Sequence, residues 1–464
     1  MGDLHAPAAS GRGGVVHAEA RRPPWAPGAW GWRLADAAVA GGALVALGGL
    51  VLLLTRGSPA DQGATLAVVS FGALSIAVAF RALVEPDDVP FLLRLVLAGF
   101  LLRVGLALAL HFSLPVDVFA PDQFTFQDVG WRTLRYLEGE GPPPAQIGGT
   151  YEVAWFYWNA LLFRLFGFVP LAPKIVNATL GVWAGLAAYR LGGEVGGRAG
   201  ANAGALLVFL MPSLILWSTQ NLREAPITLL NTVFLLLAVR LHVRPRLGVL
   251  VGLLCVLGLL AVLRDYMAWM AGLALVGSLP LAARRRPVPR LLTAVAVLAL
   301  WVGAYRVLGF GTELLETASF EGLDAQRRAL AFGGTAFAPG VDISTPARGL
   351  AFLPLGLSFF LFAPFPWQAT SSPLAAMAFP ETVLWYVLFL FAIGGALHVL
   401  RRYFERAIPV LTFFVLTASV YGLVEGNAGT AYRHRSQLVI GVLVFAAIGI
   451  EVWRQRRLAR RSGG

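Results

Sequence analysis

The charged residues best suited to chemistry fall in a few short segments of an otherwise apolar chain. Arg433, His434 and Arg435 stand in a row at the end of Asn-Ala-Gly-Thr-Ala-Tyr-Arg-His-Arg, residues 427–435. The guanidinium is a planar fork of donors that suits phosphate, and an arginine at this position can equally anchor a helix at headgroup level. Arg223-Glu224 and Arg264-Asp265-Tyr266 each occupy a short turn between apolar runs. An ionisable pair at such a depth either faces a cavity or closes on itself. Asp122 opens a segment, 122–138, that can form a helix, and a carboxylate is favoured at a helix N-terminus. Asp128 precedes Arg132 by four residues, the spacing of an ion pair on one helix face. Lys174 is the only lysine in the chain and opens another apolar run, from which it can reach a phosphate or snorkel to the headgroups. Carboxylates can take a proton from a hydroxyl, and cations can stabilise a departing phosphate.

The elements that must position these residues follow from composition. Of 464 residues, 57% are hydrophobic and only 13% charged, whereas a soluble chain is about 25% charged. A soluble multidomain enzyme and a disordered chain are both excluded, and the chain reads as an all-α polytopic membrane protein. Apolar runs long enough to span fall at 34–54, 64–80, 91–111, 173–190, 199–217, 226–242, 247–263, 266–282, 291–308, 381–398, 407–424 and 436–453, so about twelve spans are expected. A further stretch, 349–366, carries Pro354, Pro364 and Pro366 and reads as re-entrant or interfacial.

Net charge is +12, which on a soluble protein would suggest nucleic acid. Here it sorts by side. With both termini cytoplasmic, about 23 basic and 8 acidic residues lie inside, against about 13 and 16 outside. The excess is an orientation signal, and no nucleic-acid partner is needed. Residues 1–33 read as a flexible cytoplasmic tail, 34–453 as one transmembrane domain, and 454–464 as a basic cytoplasmic tail. The placement expected is the inner (plasma) membrane. Cys255 stands alone, so no disulfide forms within the chain. Neither a Walker loop, an HExxH sequence nor Cys/His metal spacing occurs, which argues against ATP-driven transport and zinc proteolysis by this chain.

Two long external segments result, 112–172 and 309–348. The first holds Asp117, Asp122, Asp128, Glu138, Glu140 and Glu152 among many aromatics. Its 151–167 stretch suits a helix lying in the interface, where Trp and Tyr are favoured.

At these residues the chain resembles the GT-C superfamily of integral-membrane glycosyltransferases, especially the branch with protein mannosyltransferases and lipid A aminoarabinose transferases. The matching elements occur in order. They are Asp122-Gln123 with Phe126 and Gly130, an aromatic helix ending Leu165-Phe166-Gly167, Lys174 opening the next span, a Gly-rich turn at 191–200, Ala205-Leu206-Leu207 leading to Pro212, Ser218 leading to Arg223-Glu224, and the late turn 427–435. The match covers about 115–240 and, more loosely, the last 40 residues.

The resemblance implies transfer of a sugar from a polyprenyl-phosphate donor to a lipid, glycan or protein at the outer face, with inversion. It implies Asp122 as general base and Asp128 and Glu224 as ligands of acceptor or of a divalent cation, Mg or Mn. Lys174, Arg223, Arg264, Arg433 and Arg435 are the donor-phosphate candidates. Two other readings remain open. A transporter or flippase of lipid-linked glycans would need ionisable residues at the bilayer midplane, where the sequence offers few, Asp36 and Arg103. A non-catalytic membrane subunit of envelope polysaccharide assembly differs from the enzyme only in lacking activity.

Overall fold

The structure, a computed structural model, describes residues 34–54, 59–112, 120–148, 153–282, 287–308, 319–368, 370 and 373–462. The expected tail 1–33, Asp117, Glu152, the arginines 284–286 and the 309–318 part of the second long segment lie outside the described residues.

The chain is built of helices. In order these are α1 (Leu34–Leu54), α2 (Pro59–Leu83), α3 (Val89–Phe112), α4 (Asp122–Leu137), α5 (Val153–Phe166), α6 (Leu171–Leu210), α7 (Pro212–Trp217), α8 (Glu224–Val243), α9 (Leu247–Leu263), α10 (Asp265–Leu281), α11 (Pro287–Leu308), α12 (Phe320–Leu330), α13 (Pro346–Phe362), α14 (Pro373–Arg402), α15 (Phe404–Val424) and α16 (Ala428–Ser462). Among the described residues there is no strand beyond a single antiparallel bridge between Ala336 and Asn427. An isolated backbone cannot leave its amides unpaired in hydrocarbon, and a helix satisfies them all within itself.

Seven helical runs among the described residues are long and apolar enough to cross a membrane: Pro59–Leu83, Pro86–Phe112, Leu171–Leu210, Glu224–Val243, Pro373–Arg402, Phe404–Val424 and Ala428–Ser462. Leu247–Leu263, Val288–Gly303 and Pro346–Phe362 are apolar but shorter. The runs expected at 173–190 and 199–217 become one helical stretch, α6, that doubles back on itself. Its backbone breaks at Gly197 (φ 71°, ψ −165°), a conformation open to glycine. The two limbs then lie so close that a Cβ on Gly192 would stand 2.4 Å from the Gly200 carbonyl oxygen, and Phe209 packs on Gly185. Pro212 ends the second limb and starts α7. The stretch 349–366, expected to be re-entrant or interfacial, is helical as far as Phe362, the end of α13.

α16 is the centre of the bundle. Every residue from Arg435 to Gly449 on it is buried. It packs most closely on α14 through glycines, as small residues allow where apolar solvent gives no drive to associate. A Cβ on Gly395 would fall 1.9 Å from the Phe445 carbonyl oxygen, and one on Gly449 2.0 Å from that of Phe391. We therefore expect Gly395→Ala to destabilise by about 3 kcal/mol, the upper end for overpacking. Gly394→Ala, with nothing within 4 Å of the added carbon, should be neutral or stabilising. Thermal denaturation in detergent separates the two.

Charges gather at the two ends of the helices. At one end Asp88 accepts from Arg198 Nε at 2.9 Å, Asn202 at 3.0 Å and Tyr189 at 2.8 Å. Arg240 pairs with Glu194 at 2.8 Å and Arg290 with Glu405 at 2.9 Å. At the other end lies the cluster built on Asp122, Glu224 and Arg433. α8 carries Glu224 at its first residue and Arg240 in its last turn, so the two ends stand about 24 Å apart at 1.5 Å per residue. Asp88 with Arg198, Glu194 with Arg240, Glu405 with Arg290, Glu224 with Arg264 and Asp122 with Arg433 each join two residues that the charge pattern assigns to the same side.

Candidate active site

α4 and α5 form the rim. α4 is strongly amphipathic, with Gln123, Phe126, Val129, Gly130, Thr133 and Leu134 buried. The Asp122, Phe126, Gly130 spacing is i, i+4, i+8, one helix face. Gly130 lets α5 approach until a Cβ there would lie 2.4 Å from that of Asn159. Phe126 meets Trp155 edge-on at 6.5 Å and Phe156 at 6.0 Å. α5 leaves Tyr157, Leu161 and Leu165 exposed, a stripe at i, i+4, i+8 that suits an interfacial helix. Gly167, at φ 78°, follows its last residue.

The centre is one arginine between two acids. Arg433 Nη1 donates to Asp122 Oδ2 at 2.8 Å, and its Nε lies 3.2 Å from Glu224 Oε1. Arg264 Nη2 reaches the same Glu224 oxygen at 3.3 Å. These residues come from the start of α4, the start of α8, the α9–α10 turn and the first turns of α16, and no two of them are neighbours in sequence. The carboxylates differ in access. The Asp122 side chain is 46% exposed and that of Glu224 only 2%. Glu224 is thus a buried anion fixed by two cations, while Asp122 keeps its carboxylate partly exposed. Burial would push the Arg264 guanidinium down, but Tyr266 and Glu224 beside it hold it above its ordinary range.

Arg223 donates to the Leu263 carbonyl at 3.2 Å and lies over the Phe126 ring, joining α8 to the α9–α10 turn and to the rim. Arg435 turns away. It is buried and donates to the Leu361 and Ala363 carbonyls at 2.8 and 2.9 Å, so it holds the end of α13 and faces no open space. Lys174 is also buried. It sits on α6 near His111, outside the Arg433 cluster. One turn on, Asn177 donates to the Gln220 and Leu222 carbonyls at 2.6 and 2.8 Å, which fixes the loop leading to Glu224.

Asp128 pairs with Arg132 at 2.6 Å, with the two side chains 63% and 48% exposed. This is the surface pair that the spacing predicts, and such pairs stabilise little. Asp128→Asn should leave the melting midpoint of the purified protein within about 2 °C. Among the described residues no three His, Cys, Asp or Glu side chains form a ligand group. Asp122 and Glu224, which do converge, share Arg433.

No family model matches the chain, nor does any curated protein or solved structure.

Sequence reading passed over several buried partners. Glu425 meets His434 Nδ1 and accepts from Thr430 Oγ1 at 2.6 Å. Tyr432 donates to Glu381 at 2.6 Å. The second long segment is stitched to the 425–430 turn by Phe337 N to Gly426 O at 2.7 Å and Ala428 N to Thr335 O at 3.0 Å. Arg327 holds that segment by donating to the Phe337 and Ala338 carbonyls. The turn that carries Arg433 is therefore braced from a segment about a hundred residues earlier. No local signal marks such a contact, because each half reads as an ordinary loop.

Proposed function

We propose that this chain is a membrane glycosyltransferase of the GT-C kind. It moves a sugar from a polyprenyl-phosphate donor to a lipid, glycan or protein acceptor at the external face of the plasma membrane. The chain crosses about twelve times, with both termini cytoplasmic. The observation that carries this reading is the meeting of Asp122 and Glu224 on the Arg433 guanidinium, at the end of the bundle opposite the Asp88 and Glu194 networks.

The chemistry follows from the difference between the two acids. Asp122, the accessible one, takes the proton of the acceptor hydroxyl. The freed oxygen attacks the anomeric carbon, and the bond from that carbon to the carrier phosphate oxygen breaks with inversion. Polyprenyl phosphate leaves, carrying the electron pair as added negative charge. Arg433, held in place by Glu224, lies beside the base to meet that charge, with Arg264 and Arg223 behind it. The donor is a lipid, so no nucleotide-binding fold is required. A flippase fits less well, since the charged networks sit at the two ends of the helices and Arg103 between them is engaged by Ser218 and two backbone carbonyls.

The test is transfer of labelled sugar from polyprenyl-phosphate donors to envelope extracts by the purified protein. Cysteine labelling from outside, at position 122 in intact cells, accompanies it. Transfer with external labelling supports the reading. Failure to transfer from any such donor, or labelling only after the membrane is opened, overturns it.

A further inference from the structure

Beneath the Asp122–Arg433–Glu224 cluster, inside the bundle, lies a narrow cavity. Water centres can occupy about 20 Å³ of it, and Arg103, Trp217, Ser218, Glu224, Thr228 and Ser436 supply its polar walls. Arg103 is 1% exposed and stands nine residues before the end of α3, about 14 Å down the helix. A cation at such a depth needs partners. Its Nε donates to Ser218 Oγ at 3.1 Å, and its Nη1 to the Gly99 and Phe209 carbonyls at 3.1 and 3.4 Å. Glycines make room for it. A Cβ on Gly181 would stand 3.0 Å from its Nε, and one on Gly99 3.3 Å from its Nη1. Arg103 therefore ties α3 to the end of α6 and to the residue after α7, from which the chain runs on to Glu224.

Three groups on this cavity have hydrogen-bonding capacity to spare. An arginine carries five N–H donors, and Arg103 Nη2 has no partner among the described residues. Trp217 is 2% exposed, and its Nε1 has no hydrogen-bond partner among the described residues. Both arginines of the cluster reach Glu224 through Oε1, leaving Oε2 without one among the described residues. A water site needs about 10–15 Å³ at water centres and two to four polar partners. This cavity meets both conditions, with donors and a carboxylate acceptor both on its walls.

We propose that the cavity holds one or two bound waters shared by Arg103, Trp217 and Glu224 Oε2. Arg103 is then a positioning residue. It acts through Ser218 and the waters on Glu224, through Glu224 on Arg433, and through Arg433 on Asp122. The water site stands on geometry alone; its consequence for turnover rests on the glycosyltransferase reading.

Radiolytic hydroxyl labelling with rapid mixing into ¹⁸O-water tests the site without any assay of activity. In the wild-type protein in lipid nanodiscs, Trp217 should take oxygen from water that exchanges slowly with bulk. In Arg103→Met that slow label should be lost, with Ser218→Ala as a second variant should the first fail to fold. A wild-type Trp217 without slow-water label overturns the proposal, and so does equal labelling in either variant. The kinetic arm reads the coupling. Arg103→Met should lower kcat by up to about a hundredfold, the scale of a misplaced catalytic group, with KM for the donor unchanged and part of kcat restored in Arg103→Lys. A loss confined to KM overturns the positioning role. A wild-type protein with the label but no transfer refutes the glycosyltransferase reading and leaves the water site standing.

Discussion

Asp122→Asn should abolish most sugar transfer while leaving the protein folded. The substitution keeps the shape of the side chain and removes the group that accepts the acceptor's proton, and general-base catalysis of this kind contributes about a hundred- to ten-thousand-fold. Little else should change. Asp122 is 46% exposed at the start of α4, and Arg433 keeps its contact with Glu224 at 3.2 Å when the charge at 122 is gone. The loss of a carboxylate from a helix N-terminus costs up to about 1 kcal/mol. Transfer of labelled sugar, measured beside thermal unfolding of the same preparation, reads both effects. Full activity in a folded Asp122→Asn protein would remove Asp122 from the mechanism and leave Glu425 with His434, and Glu381 with Tyr432, as the acids still to be tested.

The opposite pattern is expected for Glu224. Its side chain is 2% exposed and it is the shared partner of Arg264 and Arg433. Glu224→Leu leaves Arg264, itself 3% exposed, as a buried cation without its carboxylate. Removing one member of a buried pair costs about 3–5 kcal/mol. We expect a large fall in melting midpoint and loss of transfer together, because Arg433 then has only Asp122 to hold it. The double variant Glu224→Leu with Arg264→Met removes the stranded charge as well. It should recover much of the stability, since apolar replacement of a whole buried pair is often neutral, and it should recover none of the activity. Recovery of activity along with stability would show that Glu224 serves the fold alone.

Much was legible in the sequence because the bilayer is a simple solvent. The apolar helices and the turns between them follow from local composition, and each helix satisfies its own backbone. The Gly-rich turn at 191–200, the helix opening at Asp122, the aromatic helix ending at Gly167 and the Asp128–Arg132 surface pair all depend on residues within a few positions of one another. Their outcome needed no distant partner. Asp122, Glu224, Arg264 and Arg433 could be named as candidates for the same reason, since polar residues between apolar runs are conspicuous.

What each candidate does was decided by the tertiary structure. Arg433 and Arg435 are two residues apart and of one type, yet one turns to two carboxylates and the other to two backbone carbonyls. Two residues on a helix differ by about 200° around its axis, and what each meets there is brought by α4, α8 and α13 from far along the chain. Arg103 reads in sequence as a stray charge within a span. Only the doubling back of α6 at Gly197, which places Phe209 and then Ser218 against it, gives that charge its partners and the cavity beneath Glu224.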